Sequence, residues 1–386
     1  MANTPQNPFA DDIYMAPQNA PRGPPPATKF DADDTLRPHR WDAREWRKRT
    51  WAFLAAGLIA IIVIIVVVVV EVKKQNRYPD YTPLKYSLAD TCACVPPSCS
   101  SDSNRDAVSG TGFFDNFDYF TGYDPAQGFV HYVPAAQADS LQYNLTTASA
   151  SSAVLKVDTT VNVDTLPANA STGRFSVRIQ SKKQYASGLF VFDVIHTPLG
   201  CATWPALWLS DPANWPANGE IDVMEAVNVL GDAQSQVTLH TAPGCSMGVK
   251  RKESGKVLTT SCVNSTDSNA GCGVDAGVNT FGSTFNSNGG GIAAMELRSE
   301  GIRVWQFPRA SIPSDISSGN PDPSTWGEAT ADFPNTDCDI GTHFRNQSII
   351  ANIDLCGSWA GDPKIYGENC KSSSTYKRPF TRAYVM

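Results

Sequence analysis

The chain is long enough for one large domain with appendages, and its charge argues against one class of partner. It has 386 residues, of which 18% are charged and 10% aromatic, and it contains 28 glycines and 27 prolines. This composition suits an all-β domain with many turns. The formal net charge of −7 gives no basis for nucleic-acid binding.

Residues 1–50 are rich in Pro, Asn and Asp and poor in apolar side chains, which predicts a disordered cytosolic tail. Within this tail, Asn7-Pro8-Phe9-Ala10-Asp11 resembles an Asn-Pro-Phe-x-Asp endocytic sorting signal. On that interpretation an endocytic adaptor binds Asn7, Pro8, Phe9 and Asp11. The alternative is that the Asn-Pro pair simply forms a turn.

The apolar character of residues 51–72 predicts that they form a transmembrane signal anchor. The segment is apolar from Trp51 to Val70 and ends at Glu71, and about 20 apolar residues suffice to span a bilayer. A cleaved signal peptide would be shorter, begin nearer residue 1 and end in small residues. A buried core helix is the weaker alternative, because nothing polar interrupts the stretch.

The charges on either side of this segment predict its orientation. Basic side chains before it are Arg37, Arg40, Arg44, Arg47, Lys48 and Arg49, and those after it are Lys73, Lys74 and Arg77. The positive-inside rule therefore favours a cytosolic N-terminus. All glycosylation sequons, at Asn144, Asn169, Asn264 and Asn346, follow the segment, as do all ten cysteines. We expect a single-pass type II membrane protein whose main domain is extracellular or lumenal.

Residues 73–110 predict a stalk rich in Cys, Ser and Pro. It contains Cys92, Cys94 and Cys99, and the other seven cysteines are Cys201, Cys245, Cys262, Cys272, Cys338, Cys356 and Cys370. No zinc-type Cys and His spacing occurs, so disulfides are favoured over a metal, and no cofactor is expected. Both cysteine sets are odd. A bridge between stalk and domain, an intermolecular bridge or free thiols would each satisfy the count.

From about residue 112 onward, short apolar runs alternate with turn residues. Runs at 187–194 and 348–355 read as strands, and those at 294–298 and 302–307 read as a hairpin over Glu300 and Gly301. No long helical periodicity follows the membrane segment. The pattern predicts an all-β sandwich of two sheets.

The most informative motif is Glu220-Ile221-Asp222-Val223-Met224-Glu225, which places three acids in an otherwise apolar strand. Side chains of a strand alternate with period 2, so Glu225 would point away from Glu220 and Asp222. A β-bulge at Val223 or Met224 would bring all three to one face. Paired carboxylates on one groove are what glycoside hydrolysis requires, roughly 5–5.5 Å apart for a retaining mechanism. The alternative is a solvated strand face with alternating acids.

The 220–225 motif, with Trp-Pro-Ala-Leu-Trp at 204–208 and Asn-Trp-Pro at 214–216, resembles glycoside hydrolase family 16, in particular fungal endo-1,3(4)-β-glucanases of the laminarinase type. Runs at 173–179, 239–241, 288–291, 338–341 and 355–361 extend the likeness. It implies a concanavalin-like β-jelly-roll sandwich of two antiparallel sheets over residues 111–386. It also implies Glu220 as nucleophile, Asp222 as assisting acid and Glu225 as general acid/base. Family members usually have one more strand after the position of Tyr384, so we expect an exposed sheet edge.

A sugar-binding groove should surround these acids. Trp204, Trp215 and Trp359 lie beside Pro or Gly, where exposed rings can pack on sugar faces. The resemblance adds Arg178, His240 and, more weakly, Asn228 as substrate-binding residues, although a lone His is also commonly structural. For Trp208, inside an apolar run, the sequence favours core packing.

Together with the acidic motif, the resemblance implies a retaining, endo-acting β-glucan hydrolase that cleaves β-1,3 or mixed β-1,3(4) linkages in cell-wall glucan. The chemistry needs no metal or cofactor. A wall-remodelling β-glucan transglycosylase would use the same carboxylates with a sugar as acceptor. A non-catalytic glucan-binding protein is the third alternative, but it has no need of the acidic row.

Overall fold

The computed structural model describes residues 47–87, 106–159 and 173–370. Several predictions lie outside these ranges and stay predictions. They are the tail up to residue 46 with its adaptor motif at Asn7, Pro8, Phe9 and Asp11, the stalk cysteines Cys92, Cys94 and Cys99, the sequon at Asn169, and the sheet edge expected from the C-terminal sequence.

The first helix, α1, comprises Lys48–Gln75 and has a mean hydropathy of 3.5 over its most apolar 18 residues. None of its side chains is buried. Its length and composition are sufficient for a membrane span. The helix includes the predicted anchor at 51–72 and continues three residues beyond it.

Most of the remaining regular structure is β. The strands are β1 Phe117–Tyr119, β2 Gly122–Tyr123, β3 Val130–Tyr132, β4 Thr146–Ala148, β5 Ala153–Leu155, β6 Arg174–Ser176, β7 Arg178–Tyr185, β8 Gly188–Val194, β9 Thr203–Ser210, β10 Glu220–Glu225, β11 Asp232–Ala233, β12 Gln236–His240, β13 Lys256–Val257, β14 Cys272–Asp275, β15 Phe281–Gly282, β16 Gly291–Arg298, β17 Gly301–Pro308, β18 Ala331–Pro334 and β19 Gln347–Leu355.

Short helices occupy the connections between strands. The α-helices are α2 Ala135–Ala138, α3 Ser283–Ser287, α4 Ser314–Ser317, α5 Ile340–His343, α6 Gly357–Ala360 and α7 Pro363–Asn369, and the 3-10 helices are Phe113–Asn116, Pro212–Asn214, Arg309–Ser311, Pro323–Thr325 and Asn335–Asp337.

Two antiparallel sheets form the sandwich. The larger has the order β1-β7-β19-β9-β10-β12-β14-β13, and the smaller has the order β18-β17-β16-β8. The predicted all-β, jelly-roll arrangement is confirmed. The predicted hairpin is β16–β17, in which Arg298 pairs with Gly301. Its turn therefore lies at Ser299 and Glu300, one residue earlier than the sequence indicates.

The core lies between the two sheets because one face of each strand is apolar. The large sheet contributes Leu209, Ile221, Val237, Leu239 and Val274, while the small sheet contributes Met295, Leu297, Ile302, Val304 and Phe333, all buried in one cluster. Burying a side chain of this size contributes about 1.5–3 kcal/mol. The outward face of the large sheet is left for polar and aromatic groups.

Three disulfides cross-link the loops: Cys201–Cys370, Cys245–Cys338 and Cys262–Cys272. They use six of the seven cysteines outside the predicted stalk. Cys356 is the free thiol among the described cysteines and is partly buried. Of the seven cysteines outside the predicted stalk, Cys356 is therefore the one without a disulfide partner.

The segment 74–86 packs along the outer face of the small sheet. The Arg303 guanidinium lies 4.1 Å from the Tyr81 ring centre, and Tyr86 Oη donates to Glu296 Oε1 at 2.9 Å. Arg298 Nη1 donates to the Thr82 carbonyl at 2.9 Å. We call residues 74–86 the strap. The first part of the predicted stalk is therefore in contact with the sandwich, whereas a stalk ending at residue 110 remains a prediction.

Candidate active site

A β-bulge in β10 aligns the three acids. Asp222 pairs with Trp208 of β9 and Met224 pairs with Leu207, so Val223 is the additional residue. Val223 and Met224 both contribute to the core. The bulge thereby turns Glu225 to the face that carries Glu220 and Asp222, which is the arrangement predicted from the spacing.

Neighbouring strands place polar side chains beside the acids. Glu220 lies between Ser210 and His240, and Asp222 lies between Trp208 and Thr238. Further along, Glu225 lies between Ala206 and Gln236. The acids therefore run along the middle of the large sheet, on the face opposite the core.

Glu225 has the features of a general acid. It is 7% exposed, and Trp204 Nε1 donates a hydrogen bond to its Oε1 at 2.5 Å. Burial, and then the charge of Asp222, raise the pKa of Glu225 well above its usual range. The Trp204 hydrogen bond and the charge of His240 oppose this rise. This environment favours the protonated form of the carboxyl group, which is the form that a general acid needs.

Glu220 is easier to ionise than Glu225. Burial and the charge of Asp222 raise its pKa to about 7, while His240, a hydrogen bond from Trp215 and the charge of Arg178 act in the opposite direction. The two glutamates thus differ in environment, as an acid/base pair requires. Trp215, predicted as a sugar platform, is 41% exposed and contacts the nucleophile candidate.

His240 supplies the positive charge next to the carboxylates. Its Nε2 lies 3.3 Å from Asp222 Oδ2, and its Nδ1 lies 3.1 Å from Asn269 Oδ1. Burial disfavours the charged ring, but Asp222, Glu220 and Glu225 together outweigh burial and raise the pKa of His240 to about 9. Asn269 has no signal in the sequence that would single it out.

The same group has the donor atoms of a metal site. Ligand atoms of Glu220, Asp222 and His240 lie within 4.8 Å of one another. Hydrolysis of a glycosidic bond by two carboxylates requires no metal, and the positive charge of His240 already balances part of the negative charge.

Arg178 and Trp208 form the side of the groove next to the acids. The Arg178 guanidinium lies 4.9 Å from the ring centres of both Phe120 and Trp208. Trp208 Nε1 donates to Asn352 Oδ1 at 2.7 Å. The core packing favoured for Trp208 is wrong, because its neighbours Leu207 and Leu209 take the core side. The alternation of side chains along a strand is the sequence signal that places Trp208 on the face opposite the core.

The remaining predicted groove residues separate into two groups. Trp359 packs edge-on against Trp204 with ring centres 5.8 Å apart, so it supports the residue that contacts Glu225. Asn228, by contrast, is 2% exposed. Its Oδ1 accepts from Ala202 N at 2.7 Å and its Nδ2 donates to Ala360 O at 2.9 Å. Because its amide is committed to backbone groups, Asn228 has a structural role here instead of the predicted substrate-binding one.

Three of the four predicted glycosylation sites lie among the described residues, and all three are accessible to some degree. Asn144 and Asn346 are exposed, and Asn264 is partly exposed in the loop closed by Cys262–Cys272. These three sequons remain predictions.

Comparison with known proteins supplies an independent test. Residues 117–384 match a family model described as the XgeA-like catalytic domain of glycoside hydrolase family 16. A probable glycosidase of Schizosaccharomyces pombe is 41% identical over 320 residues, which are 80% of this chain and 70% of that protein. An endo-1,3(4)-β-glucanase of Arthroderma benhamiae is 41% identical over 262 residues, 65% of this chain, and the match spans only 55% of that enzyme.

Solved structures agree with this result. Laminarinase 16A of Phanerochaete chrysosporium, solved with β-glucans in its donor and acceptor sites, superposes with a TM-score of 0.66 at 39% identity and covers 75% of this chain and 91% of its own. An elongating family 16 β-1,3-glucosyltransferase superposes with a TM-score of 0.63 at 36% identity and covers 71% of this chain and 89% of its own.

A β-sandwich that aligns two glutamates and an aspartate on one strand, beside tryptophans and a positively charged histidine, defines a glycoside hydrolase. The matches above specify which one: the chain belongs to glycoside hydrolase family 16. The family predicted from the motifs is confirmed.

Proposed function

We propose that this protein is a retaining, endo-acting β-glucanase that cleaves β-1,3 or mixed β-1,3(4) linkages. The observation that supports it most directly is the bulged strand β10, which presents Glu220, Asp222 and Glu225 on one face. The named activities of the A. benhamiae and P. chrysosporium relatives support the substrate class.

In the proposed mechanism, Glu220 attacks the anomeric carbon and Glu225 gives its proton to the leaving oxygen. A covalent glycosyl-enzyme forms and the shortened glucan leaves. Glu225, now ionised, takes a proton from a water molecule, which attacks the anomeric carbon and releases Glu220. Asp222, paired with His240, holds negative charge between the glutamates and keeps the pKa of Glu225 high.

The loop after Glu225 borders a cavity of about 700 Å³ lined by residues 226–234 together with Val278 and Asn279. We assign the substrate contacts to Trp204, Trp215, Arg178 and His240, with Trp359 behind Trp204.

Product analysis tests this function. The purified full chain, incubated with laminarin and separately with mixed-linkage β-glucan, should release short reducing oligosaccharides. The Glu220→Gln variant, with an unchanged circular dichroism spectrum, should release none. Substantial hydrolysis by that variant would contradict the assignment of Glu220.

Transglycosylation is the second candidate, and the superposition on an elongating β-1,3-glucosyltransferase favours keeping it. The same glycosyl-enzyme would then react with a sugar hydroxyl instead of water. Chains longer than the starting laminari-oligosaccharide would identify transfer. Tight binding of glucan without either product would identify a glucan-binding protein.

We further propose a type II orientation, with residues 1–50 in the cytosol, an anchor in α1 and the catalytic domain outside the cytosol acting on nearby wall glucan. Glycans at Asn144, Asn264 and Asn346, removed one by one in Asn→Gln variants, would support it. Absence of any glycan together with protease sensitivity from the cytosolic side would exclude it.

The sorting interpretation of the Asn7, Pro8, Phe9 and Asp11 motif belongs to the same topology. It predicts that Phe9→Ala prolongs residence at the cell surface. Unchanged surface residence would refute it, and Pro5→Ala, outside the motif, is the matched control.

A further inference from the structure

The loop between Cys262 and Cys272 is attached on both sides of His240. The disulfide closes the loop. Leu239, which precedes His240, pairs with Cys272 in the sheet, and Thr241, which follows it, donates its backbone N–H to the Cys262 carbonyl at 2.7 Å. The loop therefore has a fixed position relative to the imidazole.

Two residues of this loop contact the ring. Asn269 Oδ1 lies 3.1 Å from His240 Nδ1. A Cβ atom at Gly271 would lie 2.8 Å from His240 Cε1. A side chain at position 271 would therefore collide with the ring, and glycine avoids this collision. As an imidazolium the ring carries an N–H on both nitrogens. Because an amide oxygen only accepts, Nδ1–H donates to Asn269 Oδ1, while Nε2–H faces Asp222 Oδ2 at 3.3 Å.

The charge of the ring depends on this placement. The groups that act on His240 are Asp222, Glu220 and Glu225 of β10, and all three favour the imidazolium. The imidazolium in turn lowers the pKa of both glutamates. A ring that could rotate away from Asp222 would leave the three carboxylates without their nearest positive charge.

We propose that Asn269 is a positioning residue for catalysis: its side-chain oxygen holds His240 by Nδ1–H, so that the charged edge of the ring stays against Asp222 and beside Glu220. The inference rests on the proposed function, because it concerns the same carboxylates. It goes beyond that function by giving the disulfide-closed loop a role at the reaction centre.

Three substitutions distinguish the two possible roles of Asn269, which are to supply a hydrogen-bond acceptor and to adopt a positive φ. Asn269 has a φ of +64°, which glycine adopts freely and alanine does not. Asn269→Gly keeps the backbone and removes the acceptor, Asn269→Ala removes both, and Asn269→Asp keeps an acceptor and adds charge. We expect Gly and Ala to lower kcat for laminarin about tenfold with KM nearly unchanged. We expect Asp to retain kcat within about threefold.

The outcomes discriminate clearly. Parent-like kcat in Asn269→Gly would overturn the proposal, since it would leave only a backbone role. Loss of kcat in Asn269→Asp equal to that in Asn269→Ala would overturn it as well. Ser268→Gly is the matched control, because Ser268 precedes Asn269 with a similar φ of +57°, and it should keep the parent kcat. Equal melting temperatures would exclude misfolding as the cause.

A readout without activity keeps this test independent of the proposed function. Nitrogen NMR of the full chain in detergent, labelled at histidine and assigned with His240→Gln, reports the pKa and tautomer of His240. Asn269→Gly should lower this pKa by at least about half a unit, and Asn269→Asp should raise it. An identical His240 titration in parent and Asn269→Gly would overturn the proposal even if the parent cleaved no glucan at all.

Discussion

The indole N–H of Trp204 and the carboxylate of Glu225 form a direct hydrogen bond of 2.5 Å between neighbouring strands β9 and β10. This bond stabilises the ionised form of the carboxylate and so lowers the pKa of Glu225. Trp204→Phe keeps an aromatic face but loses the donor. The pKa of Glu225 should rise, and because Glu225 acts while protonated, the alkaline limb of kcat/KM should move to higher pH, by about one unit.

Trp215 provides the matched substitution for this pH profile. It hydrogen-bonds Glu220 and lowers that pKa, and Glu220 must be ionised to attack. Trp215→Phe should therefore move the acidic limb to higher pH and leave the alkaline limb in place. Both variants shifting the same limb would contradict the division of roles between the two glutamates.

A second prediction concerns the free energy of unfolding, which the ionisation of buried Glu220 lowers. The pKa of folded Glu220 is raised from 4.5 to about 7, mainly by burial. Its neutral form is thus favoured by folding, so the stabilisation present below pH 4.5 is lost as pH rises through 7. Glu220→Gln, which cannot ionise, should be more stable than the parent by about 1–2 kcal/mol at pH 8, and equal near pH 4.

Thermal unfolding at the two pH values measures this difference. Glu300, paired with Arg298 at 2.5 Å, is the control of opposite sign because its pKa is lowered. Glu300→Gln should be neutral or slightly destabilising at pH 8. A Glu220→Gln variant less stable than the parent at pH 8 would show that Glu220 is not electrostatically strained in the empty site.

The two glutamates can also be told apart by chemical rescue. Glu220→Gly and Glu225→Gly each open a space on one side of the anomeric carbon. Added azide should restore cleavage of a β-glucosyl oligosaccharide that carries a good leaving group in both variants, but it attacks the anomeric carbon from opposite faces. Without the nucleophile the product is an α-glycosyl azide, and without the acid/base, given a substrate with a good leaving group, it is a β-glycosyl azide. Anomeric NMR of the azides checks the assignment, and the reverse pattern would exchange the two roles.

The strap should contribute measurably to the stability of the sandwich. Tyr81 packs against the Arg303 guanidinium and donates to Asp332 Oδ1 at 3.3 Å, and its hydroxyl occupies the space where a side chain on Gly301 would lie. Tyr81→Ala should destabilise the full chain by about 2–4 kcal/mol. Tyr81→Phe, which loses only the hydrogen bond, should cost about 0.5–1.5 kcal/mol.

Chemical denaturation followed by tryptophan fluorescence measures both variants of Tyr81. Tyr123, which is 63% exposed, is the matched tyrosine, and Tyr123→Ala should change stability by less than about 0.5 kcal/mol. An effect of Tyr81→Ala no larger than that of Tyr123→Ala would mean that the strap adds nothing to the folded domain.

The sequence predicted the elements whose pattern is local. Three acids with one residue too many between Asp222 and Glu225 require a bulge, and the bulge is present at Val223. Trp204 is predicted as a groove residue from its place beside Pro205 and its match to the family motif. Its hydrogen bond to Glu225 places it next to the acids, and its contact with substrate stays a prediction. The core position predicted for Trp208 is wrong because side chains of β9 alternate between the two faces, and Leu207 and Leu209 take the core face.

Contacts between distant segments could not be predicted in the same way. His240 and Asn269 are 29 residues apart, and the loop closure that joins them depends on one particular disulfide among several pairings. Tyr81 and Tyr86 carry no local signal for contact with residues more than 200 positions later. The sequence predicts Asn228 as a substrate-binding residue. In the folded chain its amide is buried and hydrogen-bonded to the backbone groups of Ala202 and Ala360.

The bulge residue Val223 has a consequence for how the row of acids tolerates changes in length. Asp222 and Glu225 oppose Trp208 and Ala206, which are two residues apart on β9, with Leu207 opposite Met224. Deleting Val223 would therefore leave every one of these partners in place and restore a regular strand with all acids still on the groove face. Val223 is thus dispensable for which way Glu225 faces, and the bulge accommodates this extra residue without turning the proton donor away from the groove.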